Sequence, residues 1–447
     1  MPTIPRPRSS HTATWWQRTE YRCRSQVLKA MSPHPPIMIA ANPDRWLTVK
    51  RLRAQGMILA VCLWSLYVWN LATPGLRDRN GNLKGTDFLH FYTLGSLASA
   101  HREADLYDMN AQAALAVQRV PQAAGIRYLP LYPPQVSLLF ASLAGLSYEW
   151  ALAVWWAGSA VLYGICCYAI WRCCPHLRDH SRTVALLAAA SPAFLHLIAW
   201  GQTSALALTC FTLMFVFLRD RRDFLAGLAL GCLIFKPQLG LAAAIVFLSI
   251  GAWRVLLGAA LSASLQLSAG IFYYGMEPLR HWMRMLVNLR ALLADLEPKL
   301  YQTHSLRTFW SMLVPWHDFA FGLYLLSAIA VLGLTIALWR RGQSASLALR
   351  FSSLLLATVL VAPHLTVYDL VILAPAFLLL SDWLIGQKST PSVTASSLGL
   401  ETLLYLTYTL PLLGPFARWT HVQLSVVVMT ATVYVTWRVS RGVTPSR

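Results

Sequence analysis

Long apolar segments recur along the whole chain, and they restrict the possible folds more than any other feature. Of the 447 residues, 56% are hydrophobic and only 12% are charged, and the mean hydropathy is +0.49. Soluble domains carry about 25% charged residues. A helix of about 20 apolar residues is long enough to cross a lipid bilayer. The sequence therefore predicts an all-α polytopic membrane protein and excludes a soluble one.

Twelve segments predict about 12 transmembrane helices with both termini on the cytoplasmic side. They are residues 57–73, 149–171, 183–199, 203–218, 224–235, 238–252, 255–274, 319–338, 348–363, 366–385, 397–413 and 420–438. Residues 224–235 are too few for a regular crossing, which is tolerated where a broken helix lines a cavity. The run 131–146 is also short, and we interpret it as re-entrant or interfacial.

The predicted domains follow from this topology. Residues 1–54 form a disordered basic cytoplasmic tail, residues 55–439 the transmembrane domain, and residues 440–447 a second tail. The transmembrane domain has external loops at 74–148 and 275–318. The first of these loops is expected to hold two interfacial helices, at 88–100 and 109–120.

The basic character of the chain supports the same topology. A net charge of +19 would suggest nucleic acid as the partner of a soluble protein. In membrane proteins, Lys and Arg are instead retained on the cytoplasmic side. The predicted inside segments hold 24 of the 37 Lys and Arg residues. We therefore expect membrane lipid, and no nucleic acid, among the partners.

Polar residues interrupt the apolar pattern at a few points that this topology places on one side of the membrane. They are Asp87, the stretch Gly201-Gln202-Thr203-Ser204, Lys236-Pro237-Gln238, the stretch His304-Ser305-Leu306-Arg307, and the stretch from Pro363 to Asp369. Ionisable groups at membrane depth are costly and mark functional sites. The pattern predicts one extracytoplasmic cavity.

Each of these residues also has a purely structural interpretation. The Lys236 amine could extend from a helix end towards the membrane surface. Gln202 and His364 could satisfy the backbone groups of broken helices. Tyr92 and Tyr132 could be aromatic anchors at the membrane interface. No single residue decides between these alternatives.

Taken together, the motifs resemble a known family. In order, they are Asp87-x4-Tyr92-x2-Gly95, Leu106-Tyr107-Asp108, Tyr132-Pro133-Pro134, Gly201-Gln202, Phe235-Lys236-Pro237-Gln238, Ser305-Leu306 and Pro363-His364-x3-Tyr368-Asp369-Leu370. Over about residues 57–385 they resemble glycosyltransferase family 87 of the GT-C superfamily, which includes polyprenol-phosphate-mannose-dependent alpha-1,2-mannosyltransferases. Where that family often has Asn-Gln-Ser, this chain has Thr303-His304-Ser305.

The resemblance implies a GT-C-type bundle and an inverting glycosyltransferase on the extracytoplasmic side of a bacterial inner membrane. The donor would be a polyprenyl-phosphate sugar, with mannose as the expected sugar, and the acceptor a lipid or a glycan. No cofactor and no obligatory metal are implied. Asp87 falls on the family's carboxylate in the first external loop, which is the expected general base.

The chemistry of the residues agrees with these roles. Asp87 can take the proton of the acceptor hydroxyl. Positive charge or hydrogen-bond donors must stabilise the phosphate leaving group, and the candidates are Lys236, His364, Arg307 and Gln202. Substrate contacts are expected from Tyr92, Tyr132, His304, Ser305, Tyr368 and Asp369. No acidic pair stands beside Asp87 to hold a metal ion.

Two other functions are compatible with parts of the pattern. A transporter or lipid flippase would have Gly- or Pro-broken helices at matching positions of two halves, but Lys236-Pro237 has no clear counterpart near Pro363. An O-antigen-type polymerase or ligase would need a large external loop rich in Arg and His. Residues 275–318 form such a loop, but the Asp87 element favours glycosyl transfer from a lipid phosphate.

Overall fold

The computed structural model describes residues 47–288, 299–387 and 394–442. The chain divides into a unit of residues 1–51 and a unit of residues 52–447, and the fold described below is that of the second unit. The described residues form helices and two isolated β-bridges. An all-α fold is thus confirmed for these ranges.

The described α-helices are numbered here in chain order. They are α1 (Val49–Leu71), α2 (Thr86–Ser99), α3 (Met109–Arg119), α4 (Gln135–Ala141), α5 (Tyr148–Arg172), α6 (Ser181–Ala189), α7 (Pro192–Trp200), α8 (Ser204–Arg219), α9 (Asp223–Gly231), α10 (Pro237–Ser249), α11 (Trp253–Tyr274), α12 (Glu277–Val287), α13 (Leu306–Leu313), α14 (His317–Arg340), α15 (Leu347–Val361), α16 (Ala374–Gln387), α17 (Thr394–Thr409), α18 (Ala417–Thr420) and α19 (Leu424–Gly442).

Short 3₁₀ helices connect many of these elements. They are Glu103–Tyr107, Pro121–Ala123, Leu143–Gly145, Pro175–His180, Cys232–Phe235, Leu300–Gln302, Gly342–Ser344, Val367–Leu373 and Leu410–Phe416. Two of them, Cys232–Phe235 and Val367–Leu373, lie where the apolar segments are broken by polar residues. The candidate site residues Lys236 and His364 lie beside these two connections.

Five of the described helical stretches are apolar and long enough to cross a membrane. They are Val49–Leu71, Tyr148–Arg172, Trp253–Tyr274, His317–Arg340 and Val367–Gln387. The pair Pro175–Ala189 and Pro192–Trp200, bent by 45°, would make a sixth. Shorter apolar helices cover Ser204–Arg219, Asp223–Phe235, Pro237–Ser249 and Leu347–Val361. The chain is a multi-pass membrane protein, and the number of twelve crossings stays a prediction.

The long helices carry exposed apolar side chains, whose contact with water would be energetically unfavourable. In α11, Leu257, Leu265 and Phe272 are 64%, 61% and 95% exposed, and in α14 Leu326 and Ile329 are each 66% exposed. Contiguous exposed apolar surface of this kind marks contact with another apolar medium. For a multi-pass protein, that medium is the lipid bilayer.

The interior of the bundle is built around α15. Every residue from Phe351 to Val361 is buried, including Ser352, Ser353 and Thr358. The helix ends at Ala362, and the chain then turns through His364 into the Val367–Leu373 helix. The junction, with half-buried Pro363 and His364, thus lies between two stretches of buried helix.

Helix α2 covers most of the segment 88–100, for which an interfacial helix is predicted. Residues Phe88 to Ala98 are helical, but all eleven are buried by other parts of the fold. At Gly95 an added Cβ would lie 2.3 Å from the backbone oxygen of Phe140, so α2 packs directly against α4. The interfacial position of α2 stays a prediction, and the structure adds that other parts of the protein cover this helix.

The short run 131–146 contains only α4 and a 3₁₀ turn. A helix of seven residues is about 10 Å long and cannot cross a bilayer core of about 30 Å. This observation agrees with the prediction that the run does not cross as a regular helix.

The predicted domain boundaries stay predictions, and two of them fall within helices. Helix α1 begins at Val49, inside the tail predicted for residues 1–54, while residues 1–46 of that tail lie outside the described ranges. Helix α19 continues to Gly442, inside the tail predicted for 440–447, of which 443–447 are not described. The predicted 275–318 loop contains α12 and α13 and the start of α14, and its residues 289–298 are not described.

Candidate active site

Glycine residues at two turns allow the chain segment with Asp87 to pack against the helix bundle. Gly85, before α2, has φ +64°, and Gly201, after α7, has φ +70°; L-residues with a side chain rarely adopt such values. A Cβ at Gly201 would lie 2.6 Å from the Cβ of Phe88. The start of α2 therefore rests directly on the turn between α7 and α8. Half-buried Asp87 lies in the first turn of α2, beside Gln202.

A chain of polar contacts begins at this carboxylate. The Gln202 amide Nε2 donates to Asp87 Oδ2 over 2.6 Å. The Gln202 Oε1 accepts from Lys236 Nζ at 3.3 Å. Lys236 Nζ also donates to Asp369 Oδ1 at 2.8 Å and to Ser204 Oγ at 3.2 Å, and the Ser204 hydroxyl donates to the same Asp369 oxygen. These five side chains are called the polar network below.

The far end of the polar network is a buried ion pair. The side chains of Lys236 and Asp369 are 5% and 3% exposed. Lys236 stands before Pro237, and a residue before proline is pushed towards extended backbone, which breaks the apolar run at this point. Asp369 lies in the first turn of its 3₁₀ helix, and its Oδ2 accepts from the Thr366 backbone N–H at 3.4 Å. Both charges are thus placed at helix breaks.

The surroundings of Asp87 raise the pKa of its carboxyl above the ordinary value. Burial raises the pKa of the Asp87 carboxyl to about 6, and the negative charge of Asp369 acts in the same direction. The hydrogen bond from Gln202 and the positive charge of Lys236 partly oppose this increase in the pKa. A carboxyl with such a pKa exchanges its proton near neutral pH, as a general base requires.

Tyrosine rings surround the network. The Tyr368 ring centroid lies 5.2 Å from Lys236 Nζ, a cation–π distance. The Tyr132 hydroxyl lies beside the side chain of Thr203, and the Tyr132 ring contacts Phe91 of α2 at 4.9 Å between centroids. Tyr132, Tyr368 and Asp369, predicted as substrate-binding residues, therefore lie in the same group as Asp87.

His364 lies close to the same charges. The ring interacts electrostatically with Asp369, Lys236, Arg307 and Asp87, and burial lowers its pKa to about 4. Arg307, at the start of α13, donates from its guanidinium to the Pro363 carbonyl, directly before His364. Three of the four predicted phosphate-binding residues, Lys236, His364 and Gln202, thus lie around Asp87, and the fourth, Arg307, contacts the Pro363–His364 junction.

Three other predicted residues have their polar atoms engaged within the protein. The Tyr92 hydroxyl donates to the Leu146 carbonyl at 2.8 Å and accepts from Arg119 at 2.9 Å. The Ser305 side chain caps α13, accepting from the Thr308 N–H.

His304, the third of these residues, contacts a different helix. Its Nδ1 lies 2.7 Å from the Ser425 hydroxyl of α19, and burial lowers the pKa of the ring to about 3. Its backbone N–H donates to the Leu365 carbonyl at 3.2 Å. The His304 loop thus supports the backbone on which His364 stands, and its side chain points to the α19 helix.

Two buried polar residues of this region have no role among the sequence predictions. Ser204 follows Gln202 by two residues and is fully buried against Asp369. His90 follows Asp87 by three residues in α2 and is 4% exposed. An ionisable residue within an apolar run was the available signal for His90. Among the described residues, no three His, Cys, Asp or Glu side chains gather in a metal-binding group.

The fold and this site define a multi-pass, all-helical membrane protein with a half-buried carboxylate linked to a buried cation. The model of glycosyltransferase family 87 matches residues 131–363, just over half of the chain. The chain belongs to glycosyltransferase family 87 and is a membrane glycosyltransferase. Gln202, Lys236 and Arg307 lie inside the matched region, and Asp87 lies before it. No curated protein and no solved structure matches the chain.

Proposed function

We propose that this glycosyltransferase moves a sugar, expected to be mannose, from a polyprenyl-phosphate donor to a lipid or glycan acceptor. The transfer takes place on the extracytoplasmic side of a bacterial inner membrane. The proposal rests mainly on the hydrogen bond between Asp87 and Gln202. Asp87 has a raised pKa, and Gln202 also contacts the buried Lys236, so the amide connects the carboxyl to the cation.

Asp87 acts as the general base. The carboxylate takes the proton of the acceptor hydroxyl while that oxygen attacks the anomeric carbon of the donor sugar. The bond from this carbon to the phosphate oxygen breaks, and the phosphate leaves with the electron pair. A single carboxylate that activates the acceptor for direct displacement gives inversion, with no covalent sugar–protein intermediate.

The phosphate of the donor is bound by Lys236, His364 and Arg307, with Gln202 as a neutral donor. Lys236 is already paired with Asp369, so the phosphate has to share this cation with the carboxylate. Arg307 and His364 approach from the same junction and add further N–H donors. Preorganised hydrogen-bond donors around a developing charge usually make the largest single contribution to catalysis.

Tyr132 and Tyr368 contact the sugar or the start of the isoprenoid chain, since their rings adjoin Asp87 and Lys236. Asp369 contributes by holding Lys236 in place. We leave Tyr92 and Ser305 out of the proposed site, because their hydroxyls have partners in the protein.

The topology belongs to the same proposal. Twelve crossings with both termini inside place the start of α2, the Lys236 break and the His364 junction on the extracytoplasmic side. The excess of Lys and Arg in the predicted inside segments supports this orientation.

The proposal is tested with membranes of cells that express the chain and with membranes of the same cells without it. Radiolabelled polyprenyl-phosphate sugars are supplied one at a time, with and without EDTA. We expect label transfer only in the membranes with the protein, resistant to EDTA, and with one sugar. Absence of transfer from every such donor would overturn the proposed function.

A further inference from the structure

One buried imidazole near Asp87 makes no hydrogen bond to the residues that the structure describes. His90 is 4% exposed, and neither ring nitrogen has a hydrogen-bond partner among the described residues. Burial lowers the pKa of this ring to about 4, so it is neutral near pH 7 and carries one N–H donor and one nitrogen acceptor. A buried polar group without a partner costs folding free energy, and in native proteins such groups are rare.

The position of His90 relates this imidazole to the proposed site. It follows Asp87 by three residues in α2, and residues three apart are neighbours on one helix surface. Its ring lies 5.0 Å from the Tyr128 ring and 5.8 Å from the Tyr132 ring, measured between centroids. Tyr132 in turn adjoins Thr203, the residue after Gln202. The unpaired nitrogens thus lie beneath two tyrosines that border the polar network.

The cover over His90 consists of an irregular segment. Residues 126–132 form no helix or strand. The segment is held from outside: the Tyr128 hydroxyl donates to the Thr86 carbonyl, Tyr107 donates to the Tyr132 carbonyl at 2.9 Å, and Trp282 donates to the Leu131 carbonyl at 2.9 Å. A sugar hydroxyl reaches the imidazole only if this segment moves aside, because Tyr128 and Tyr132 cover the ring.

We propose that His90 binds a sugar hydroxyl in the glycosyl transfer, through its neutral donor and acceptor nitrogens. The inference rests on the proposed function. The hydroxyl belongs either to the donor sugar or to the acceptor, and both present the same chemistry to the ring. Bound substrate supplies the hydrogen bonds that the protein itself does not give to this residue.

The test compares two substitutions. His90→Leu removes both nitrogens at similar volume, and His90→Gln keeps one donor and one acceptor group. If His90 binds substrate, the Leu variant melts at the wild-type temperature or above, because an unpaired polar group has been removed. Its kcat/KM falls by about tenfold for each hydrogen bond lost, and the Gln variant recovers part of the loss. A rise in the donor KM assigns the hydroxyl to the donor, and a rise in the acceptor KM assigns it to the acceptor.

Thr436→Val is the matched control. The Thr436 hydroxyl is also buried without a partner among the described residues, but it lies in α19, away from the polar network. This variant should melt at the wild-type temperature or above and transfer sugar normally.

Two results would overturn the inference alone. One is normal kcat/KM of His90→Leu beside an active wild type. The other is a lower melting temperature of His90→Leu with equal transfer losses in both His90 variants, which would mean a structural imidazole. If the wild type transfers no sugar, the proposed function fails and this inference fails with it.

Discussion

Removing one partner of the Lys236–Asp369 pair should destabilise the protein more than removing both. The two charged atoms lie 2.8 Å apart, and the side chains are 5% and 3% exposed. Loss of one partner from a buried pair costs about 3–5 kcal/mol, because the remaining charge has no compensation. Replacing both partners by apolar residues of similar volume is often neutral or even stabilising. We therefore expect Lys236→Met and Asp369→Leu each to lower the free energy of unfolding by about 3–5 kcal/mol.

The double variant loses far less than the sum of the single losses. Some cost remains, since Gln202 loses one hydrogen bond and Ser204 loses two, at about 1 kcal/mol for each bond. The assay is unfolding of the purified protein by titration of a denaturing detergent, followed by far-UV circular dichroism. A loss of unfolding free energy below about 1 kcal/mol in each single variant would refute the reasoning about an uncompensated buried charge. A loss in the double variant equal to the sum of the single losses would refute it as well. Transfer should stay low in the double variant, because the cation proposed for the phosphate is absent.

The other predictions concern the contact between Asp87 and its neighbours. Transfer should increase with pH through about pH 6, since the raised pKa of Asp87 leaves less of the active carboxylate below that value; a flat pH–rate profile from pH 5 to 7 would count against this. Gln202→Leu removes a hydrogen bond that lowers this pKa, so the rise should move to higher pH, measured as kcat/KM against pH. Gly201→Ala places a Cβ against Phe88 at positive φ and should cost at least about 1–2 kcal/mol with loss of transfer. Gly333→Ala, which meets open space within α14, is its control in thermal melting and should not destabilise.

Much of the helical framework could be predicted because it depends on local patterns. The apolar segment predicted at 255–274 is α11, Trp253–Tyr274, and the one at 319–338 lies within α14. The breaks at Lys236-Pro237 and at Pro363-His364 were also visible in the sequence, since proline cannot continue a helix. The predicted topology places Asp87, Gln202 and Lys236 on one side of the membrane, and in the structure these three side chains are in contact. Their chemical roles stay predictions.

The pairing of side chains across the bundle was not predictable. Asp87 and Gln202 are 115 residues apart, and Lys236 and Asp369 are 133 residues apart. No local pattern shows which helices pack against each other, so the pairing of Asp369 with Lys236 could not be predicted, and substrate contact by Asp369 stays a prediction. The same reason applies to α2, because its covering by other parts of the protein could not be read from the sequence.

The most direct test of the account is sugar transfer by Asp87→Asn beside Asp105→Asn. Asp105 is an acid of the same predicted loop, paired with Arg102 at a partly exposed site, where such a pair is worth about 0–1 kcal/mol. Both variants are compared with the wild type in membranes at equal protein level and with the same polyprenyl-phosphate donor. The account predicts a loss of at least about 100-fold for Asp87→Asn, the contribution of a general base, and near-normal transfer for Asp105→Asn. Near-normal transfer by a folded Asp87→Asn protein would contradict it.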